Sequence, residues 1–269
     1  MTGFMPACIA PVIPAKTAHV ILPPAISTWF AQRGWAVRAH QWAMLEAAAA
    51  GRHALLTAPT GAGKTLAGFL PSLVELADGS HDGLHTLYVS PLKALAVDVQ
   101  RNLLAPIAEM GLAVRVETRT GDTPSDRRAR QRSDPPHMLL TTPESLANLL
   151  SYPDAARLLG GVRRVIVDEI HAFGTTKRGD QLALCLARLQ GIAPAVQRVG
   201  LSATIADPES WAGWLAPDAD AAHVAIVRAE AGAAPDIGIM VIDDRIPWGG
   251  HNGRWAARAG MQAIAAARL

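Results

Sequence analysis

Eight consecutive residues, Ala58-Pro-Thr-Gly-Ala-Gly-Lys-Thr65, set a glycine-rich turn directly before a lysine and a hydroxyl. That spacing suits phosphate, because glycines let successive backbone N–H groups converge on its oxygens while the positive end of a following helix points the same way. In such a loop Thr60, Gly61, Ala62 and Gly63 wrap the phosphates, Lys64 reaches the β- and γ-phosphates, and the Thr65 hydroxyl is placed to hold Mg²⁺. The bland alternative is a strand-to-helix turn that merely packs tightly. A second signature, Val165-Ile-Val-Asp168-Glu169-Ile-His171, ends an apolar run on two carboxylates. Asp168 at the strand tip can hold Mg²⁺ through water, while Glu169 orients or deprotonates a water attacking the γ-phosphate. Mg²⁺ takes oxygen ligands and keeps several waters, so Thr65 and Asp168 are a sufficient protein share. A third signature, Ser202-Ala-Thr204, reads either as a hydroxyl relay beside the carboxylates or as a plain helix cap before Asp207 and Pro208.

These groups need strands that end at them. Apolar runs at 53–57, 86–90, 113–118, 137–141, 165–168 and 197–202 read as strands, and helical patterns open after Thr65, after Pro91 through about Glu109, and at Pro143. Strands alternating with helices predict an α/β fold, a mainly parallel sheet with helices on both faces. Ligands of such sheets sit beyond the carboxyl ends of the strands, where every signature above falls. Upstream, one helix starts near Pro24 and carries Trp29 and Phe30, and a second runs from about His40 to Ala50. Gln41, at the start of the second, reads as a cap, although its amide also carries the donors and acceptor that an adenine edge requires. Past Pro217 come a possible strand at 224–227, a linker at 232–235, a strand at 237–242, a turn at 247–250 and an Ala-rich helix from Gly253.

With 269 residues, half of them hydrophobic, the chain can bury a sizeable core. Its net charge of +2 is too small to argue for nucleic acid, so that argument must rest on local clustering. Cys8 and Cys185 stand far apart with no Cys/His cluster, which suggests neither a disulfide framework nor a zinc site and fits a reducing compartment. No run approaches a membrane helix, and the apolar start is broken by Pro6, Pro11 and Pro14, so a cytoplasmic protein without membrane partners is expected.

The ordered set APTGAGKT (58–65), SPLKALAVD (90–98), RTGDT (119–123), TTPESL (141–146), VDEIHAF (167–173) and LSATI (201–205) resembles the first motor domain of superfamily 2 DExH-box helicases. More narrowly it resembles the Lhr-like group and, through GLHTLYVSPLKALAVDVQRNL and ETRTGDTPSDRRARQRSDPP, its bacterial DNA-ligase-associated branch. The resemblance implies a RecA-like P-loop NTPase domain over 25–232, preceded by an extension at 1–24 and followed at 233–269 by a linker and the start of a second such domain. It implies ATP and Mg²⁺ as cofactors, Gln41 as the adenine reader, Lys64, Asp168, Glu169 and His171 as the catalytic set, and Ser202 and Thr204 as coupling residues. Pro91, Lys93, Thr120, Gly121, Asp122, Thr142, Pro143 and Glu144 fall in the segments that grip a nucleic-acid strand in that family. Arg101, on the helix after Pro91, is a further candidate. Single-stranded or partly duplex DNA is the implied partner, with DNA ligase and a repair nuclease as protein partners and a monomeric chain.

One physical argument for nucleic acid stands apart from the resemblance. Arg119, Arg127, Arg128, Arg130 and Arg132 face only Asp122 and Asp126 within their stretch, a local net of +3 on what reads as a loop at the ligand edge. Such charge, beside Thr and Gly backbone donors, suits sequence-independent phosphate contacts, although a solvated face has the same composition. The chain contains no Gln-x-x-Gly-Arg-like motif, the family's source of an arginine finger, which is worth roughly 10³ to 10⁵ in phosphoryl-transfer rate. The chain therefore resembles an N-terminal piece, either a truncated gene product or a fragment, of which ATP binding with slow turnover is expected. A nucleotide- and nucleic-acid-binding module with negligible turnover, and an RNA helicase, are the competing readings.

Overall fold

The central strands are short and apolar at nearly every position, a pattern that suits strands covered on both faces. The computed structural model describes residues 20–217, 219 and 223–230. In it β1 (His53–Thr57), β2 (Thr86–Val89), β3 (Val116–Arg119), β4 (Met138–Thr141), β5 (Arg164–Val167), β6 (Gln197–Ser202) and β7 (Val224–Arg228) form one sheet, ordered β3-β4-β2-β5-β6-β1-β7. Every pairing is parallel. Parallel neighbours need crossovers, and helices supply them. α1 (Pro24–Gln32), α2 (Ala39–Ala49), α3 (Lys64–Leu76) and α4 (Lys93–Glu109) cover one face, where Leu56, Tyr88, Ile166 and Leu201 join their core. α6 (Pro143–Ser151), α7 (Ala155–Leu159), α8 (Lys177–Ile192) and α9 (Pro208–Leu215) cover the other, with Leu55, Val89, Val165 and Val167. Successive residues of a strand thus serve opposite cores, as a period of two requires. Among the described residues no helix is long and apolar enough to cross a membrane.

The predicted α/β layers are present, with three local differences. β3 begins at Val116 rather than Ala113. α3 begins at Lys64, so the lysine and threonine of the glycine-rich loop occupy its first turn. The basic run expected as a loop contains a helix, α5 (Ser125–Ser133), with Asp126 in its first turn and Arg130 and Arg132 in its last, the arrangement a helix dipole favours. The expected strand at 237–242, turn at 247–250 and helix from Gly253 lie outside the described residues, as does most of the 1–24 extension.

α8 approaches the end of β5 closely. Thr176 caps it, its hydroxyl accepting from Gly179 N at 3.1 Å. A Cβ on Gly179 would lie 2.0 Å from the carbonyl oxygen of Phe173 and 2.9 Å from that of Gly174, so only glycine lets the helix abut the turn that follows His171.

At the opposite edge of the sheet Arg164 opens β5 fully buried and spends its donors locally. Nη1 donates to Ser72 Oγ at 3.0 Å and to Glu75 Oε2 at 3.1 Å, and Nη2 donates to Glu75 Oε1 at 2.8 Å and to Gln197 Oε1 at 2.6 Å. His85 Nε2 lies 2.9 Å from Glu75 Oε2. Burial pushes the Glu75 carboxyl up, but His85 and Arg164 outweigh it and bring it to about 2. A folded value below the ordinary 4.5 gives stabilisation that is present above 4.5 and lost as pH falls towards 2. Glu75→Gln is therefore expected to lower the urea midpoint at neutral pH, because it leaves a buried guanidinium without its counter-charge. The wild-type advantage should shrink across that acid window, and a gap that does not change with pH would show that Glu75 is not the titrating group.

Candidate nucleotide site and nucleic-acid face

β6 lies between β1 and β5, with Thr57 opposite Ser202 and Val167 opposite Gly200, so the loops after all three strands converge. Ala58 N donates to Ser202 O at 3.0 Å, anchoring the start of the glycine-rich loop on β6. Gly61 and Gly63 have φ of 82° and 77°, the left-handed region that glycine enters without strain. The first-turn N–H groups of α3 have no acceptor within the helix and point to where an anion would sit.

Lys64 Nζ donates to Glu169 Oε1 at 2.6 Å and stands 3.9 Å from Asp168 Oδ1. Asp168 is buried. Its Oδ2 accepts from the Tyr88 hydroxyl at 2.5 Å and its Oδ1 from Glu169 N at 2.9 Å. Burial pushes the Asp168 carboxyl up, against the hydrogen bond from Tyr88 and the charge of Lys64. Burial and the Asp168 carboxylate push the Tyr88 hydroxyl up in turn, so the proton stays on the phenol. Glu169 adopts φ 46° and ψ 47°, the positive-φ non-glycine residue among those described. His171 sits in the short 3₁₀ turn Ile170–Ala172, its Nδ1 2.7 Å from Ser202 Oγ and 3.4 Å from Glu169 Oε2. Ser202 Oγ donates to Thr204 O at 3.3 Å, so Thr204 enters through its backbone carbonyl rather than as the second hydroxyl of a relay.

Beside the loop a cavity of about 470 Å³ is lined by Phe30, Trp35, Arg38, Gln41, Gly61, Gly63 and Leu66 among others. Gln41 Oε1 accepts from Arg38 N at 2.9 Å, so it caps α2, as its place at the helix start suggests. Its amide Nε2 remains on the cavity side, 3.4 Å from where a Cβ on Gly63 would stand. Trp35 is braced by an edge contact with Trp29 and by Arg33, whose guanidinium lies 5.0 Å and 5.1 Å from the two indole centroids. Trp35 and Arg38 were not singled out in the sequence. The available signal was an aromatic cluster shortly before a glutamine at a helix start.

The residues fit a magnesium-bound nucleoside triphosphate. Gly61 and Gly63 leave backbone donors uncovered, Lys64 supplies a cation, and Thr65 and Asp168 supply hard oxygen donors of the type Mg²⁺ prefers.

The candidate strand-gripping segments follow β2, β3 and β4, which are neighbours in the sheet. Lys93 Nζ pairs with Asp122 Oδ1 at 2.8 Å, both groups exposed. Thr120 N donates to Thr123 Oγ1 at 2.9 Å and Asp122 N to Thr120 Oγ1 at 3.3 Å, which closes the Thr120–Gly121–Asp122 turn. Thr142 caps α6 by accepting from Ser145 N at 3.4 Å, and Pro143 is buried at its first position. Glu144 pairs with Arg178, whose Nη1 donates to the carbonyl of Pro91 at 2.8 Å. Arg101 stands exposed on α4, 4.0 Å from Asp98.

The basic run is a different matter from what its composition suggested. Arg127 and Arg130 pair with Glu117 at 3.4 Å and 2.7 Å, Arg132 pairs with Asp154 at 2.7 Å, and Arg119 is buried against Tyr152. Arg128 donates to Gly121 O at 2.6 Å. These arginines hold α5 and the Thr120 turn in place, and two carboxylates outside the run, Glu117 and Asp154, pair with three of them.

Residues 38–210 match the DEAD/DEAH box helicase family. The chain belongs to that family. It is 42% identical over 202 residues to the ATP-dependent helicase Lhr-Core of Methanothermobacter thermautotrophicus, a match covering 70% of this chain and 23% of that protein. It is 39% identical over 251 residues to the Lhr helicase/uracil glycosylase of Escherichia coli, covering 85% and 16%. The solved structure of Mycobacterium smegmatis helicase Lhr bound to ssDNA and AMP-PNP superposes with a TM-score of 0.72 at 41% identity, covering 78% of this chain and 28% of that one. The chain is thus an Lhr-like superfamily 2 helicase sequence with a RecA-like, nucleotide-binding core, and it spans about a quarter or less of the curated relatives named here.

Tyr88→Phe keeps the ring packed on Phe69 but removes the donor to Asp168. It is expected to weaken Mg²⁺-dependent nucleotide binding roughly tenfold, as loss of a hydrogen bond to a charged group does, while leaving binding in EDTA unchanged. A fluorescent-nucleotide titration under both conditions checks this.

Proposed function

We propose that residues 25–232 are the first motor domain of an ATP-dependent DNA helicase and that residues 233–269 lead towards a second. One observation carries this reading: the nucleotide-side groups follow β1, β6 and β5, the strand-gripping segments follow β2, β4 and β3, and the two sets occupy adjoining stretches of one sheet edge. The similarity to an Lhr helicase bound to ssDNA and AMP-PNP supports DNA as the strand and ATP as the nucleotide. The resemblance to the ligase-associated branch makes DNA repair the proposed setting, in the cytoplasm.

In this reading Gln41 holds the base from the cavity beside the loop, and the Gly61–Gly63 amides with Lys64 hold the phosphates. Thr65 and Asp168 would hold Mg²⁺, which when bound would supply positive charge beside the phosphates. Phosphate oxygens compete for Lys64, and that competition releases Glu169 from its 2.6 Å contact to accept a proton from the attacking water. His171, between Glu169 and Ser202, senses the change and passes it to the end of β6. Thr120, Gly121, Thr142 and the Pro91–Lys93 turn offer backbone and side-chain donors to strand phosphates, for which Lys93 must exchange Asp122.

The test is nucleotide binding and ATPase activity with and without single-stranded DNA. Lys64→Ala is expected to weaken binding at least about a hundredfold, and Glu169→Gln to retain binding while abolishing turnover. DNA-stimulated turnover lost in Lys64→Ala excludes a passive binding module. Turnover that survives Lys64→Ala overturns the site, and a preference for single-stranded RNA in competition overturns the DNA assignment.

A further inference from the structure

The turns after β2 and β4 are far apart in sequence, and one side chain from a third segment fastens them together. Arg178 Nη1 donates to Pro91 O at 2.8 Å, while Nε and Nη2 donate to Glu144 Oε1 at 2.6 Å and Oε2 at 3.2 Å. A planar guanidinium used in this way, with two parallel bonds to a carboxylate and a third to a carbonyl, fixes direction as well as distance. Its helix is itself fixed. Gly179 lies under the carbonyls of Phe173 and Gly174, and Thr176 caps the same turn, so α8 rides on the segment that begins with Asp168, Glu169 and His171.

We infer that Arg178 is a positioning residue that couples the carboxylate turn after β5 to the two strand-gripping turns at Pro91 and Glu144. The inference rests on the reading of those turns as strand-gripping. Any displacement of the turn after β5 moves the N-terminus of α8 and is handed by the guanidinium to both of them at once. A direct contact between the half-exposed guanidinium and a strand phosphate is the competing role, and it makes opposite predictions for Glu144.

The experiment measures binding of a fluorescent single-stranded DNA to the full 269-residue chain, with a non-hydrolysable ATP analogue, across a series of salt concentrations. Arg178→Gln and Glu144→Gln are each expected to weaken binding roughly tenfold, with the double variant no worse than either, because the two act as one unit. The slope of log K against log salt should match wild type, since no phosphate contact is lost. A slope reduced by about 0.7 in Arg178→Gln, with Glu144→Gln unchanged or tighter, would overturn the inference in favour of a direct phosphate contact. Amide exchange without DNA gives an independent readout: residues 92–93 and 144–145 should exchange faster in Arg178→Gln, and unchanged exchange would also overturn it. The pair is part-exposed, so both variants should keep the fold, which thermal melting confirms. Failure of the wild-type chain to bind any single strand would overturn the strand-gripping reading instead, and the exchange arm would still decide whether Arg178 holds the turns.

Discussion

Lys64 and Glu169 meet across the end of β6, and most of the molecule is arranged so that they can. The lysine leaves the strand on one side of β6 and the glutamate the strand on the other, a separation of roughly 10 Å between outer strands. A long cationic side chain and a carboxylate on a sharply turned backbone span that gap, provided the strands end level. The in-register pairings of Thr57 with Ser202 and Val167 with Gly200 make them end level. Parallel pairing does the rest, because each crossover helix returns the chain to the bottom of the sheet and leaves every carboxyl-end loop on one side.

The same constraint divides that edge. Three strands carry groups suited to phosphate and metal, and three carry turns suited to a polyanionic strand, with the border between β2 and β5. Tyr88 crosses the border inside the sheet, from β2 to the carboxylate after β5. Arg178 crosses it above the sheet. The nucleotide site and the proposed strand site, built on one rigid sheet, would need only small shifts at such crossings to influence each other, because packed interiors transmit displacement rather than absorb it.

The parts legible in the sequence were those whose chemistry is local. A glycine-lysine-threonine loop, two carboxylates ending an apolar run and a proline at a helix start each occupy a few adjacent residues, and their strands announced themselves by apolar runs. What was not legible depends on partners distant in sequence. The basic run counted as +3 because Glu117 and Asp154, which pair with three of its arginines, lie outside the window. Nothing adjacent in the sequence marks Arg178, because Pro91 and Glu144 reach it only through the fold. Gln41 was a choice between cap and base reader until the geometry showed its oxygen on Arg38 and its nitrogen beside Gly63.

Glu169 is held in the left-handed region, where a side chain costs on the order of 1–3 kcal/mol and glycine or asparagine costs less. Random substitution at this position thus includes changes that make the chain easier to fold while removing the carboxylate proposed as its proton acceptor. Stability and chemistry pull in opposite directions at this residue. A library of this domain sorted for thermal resistance alone would drift away from glutamate there, whereas one sorted for turnover would keep it, so the position separates the two selections more cleanly than any in the buried core.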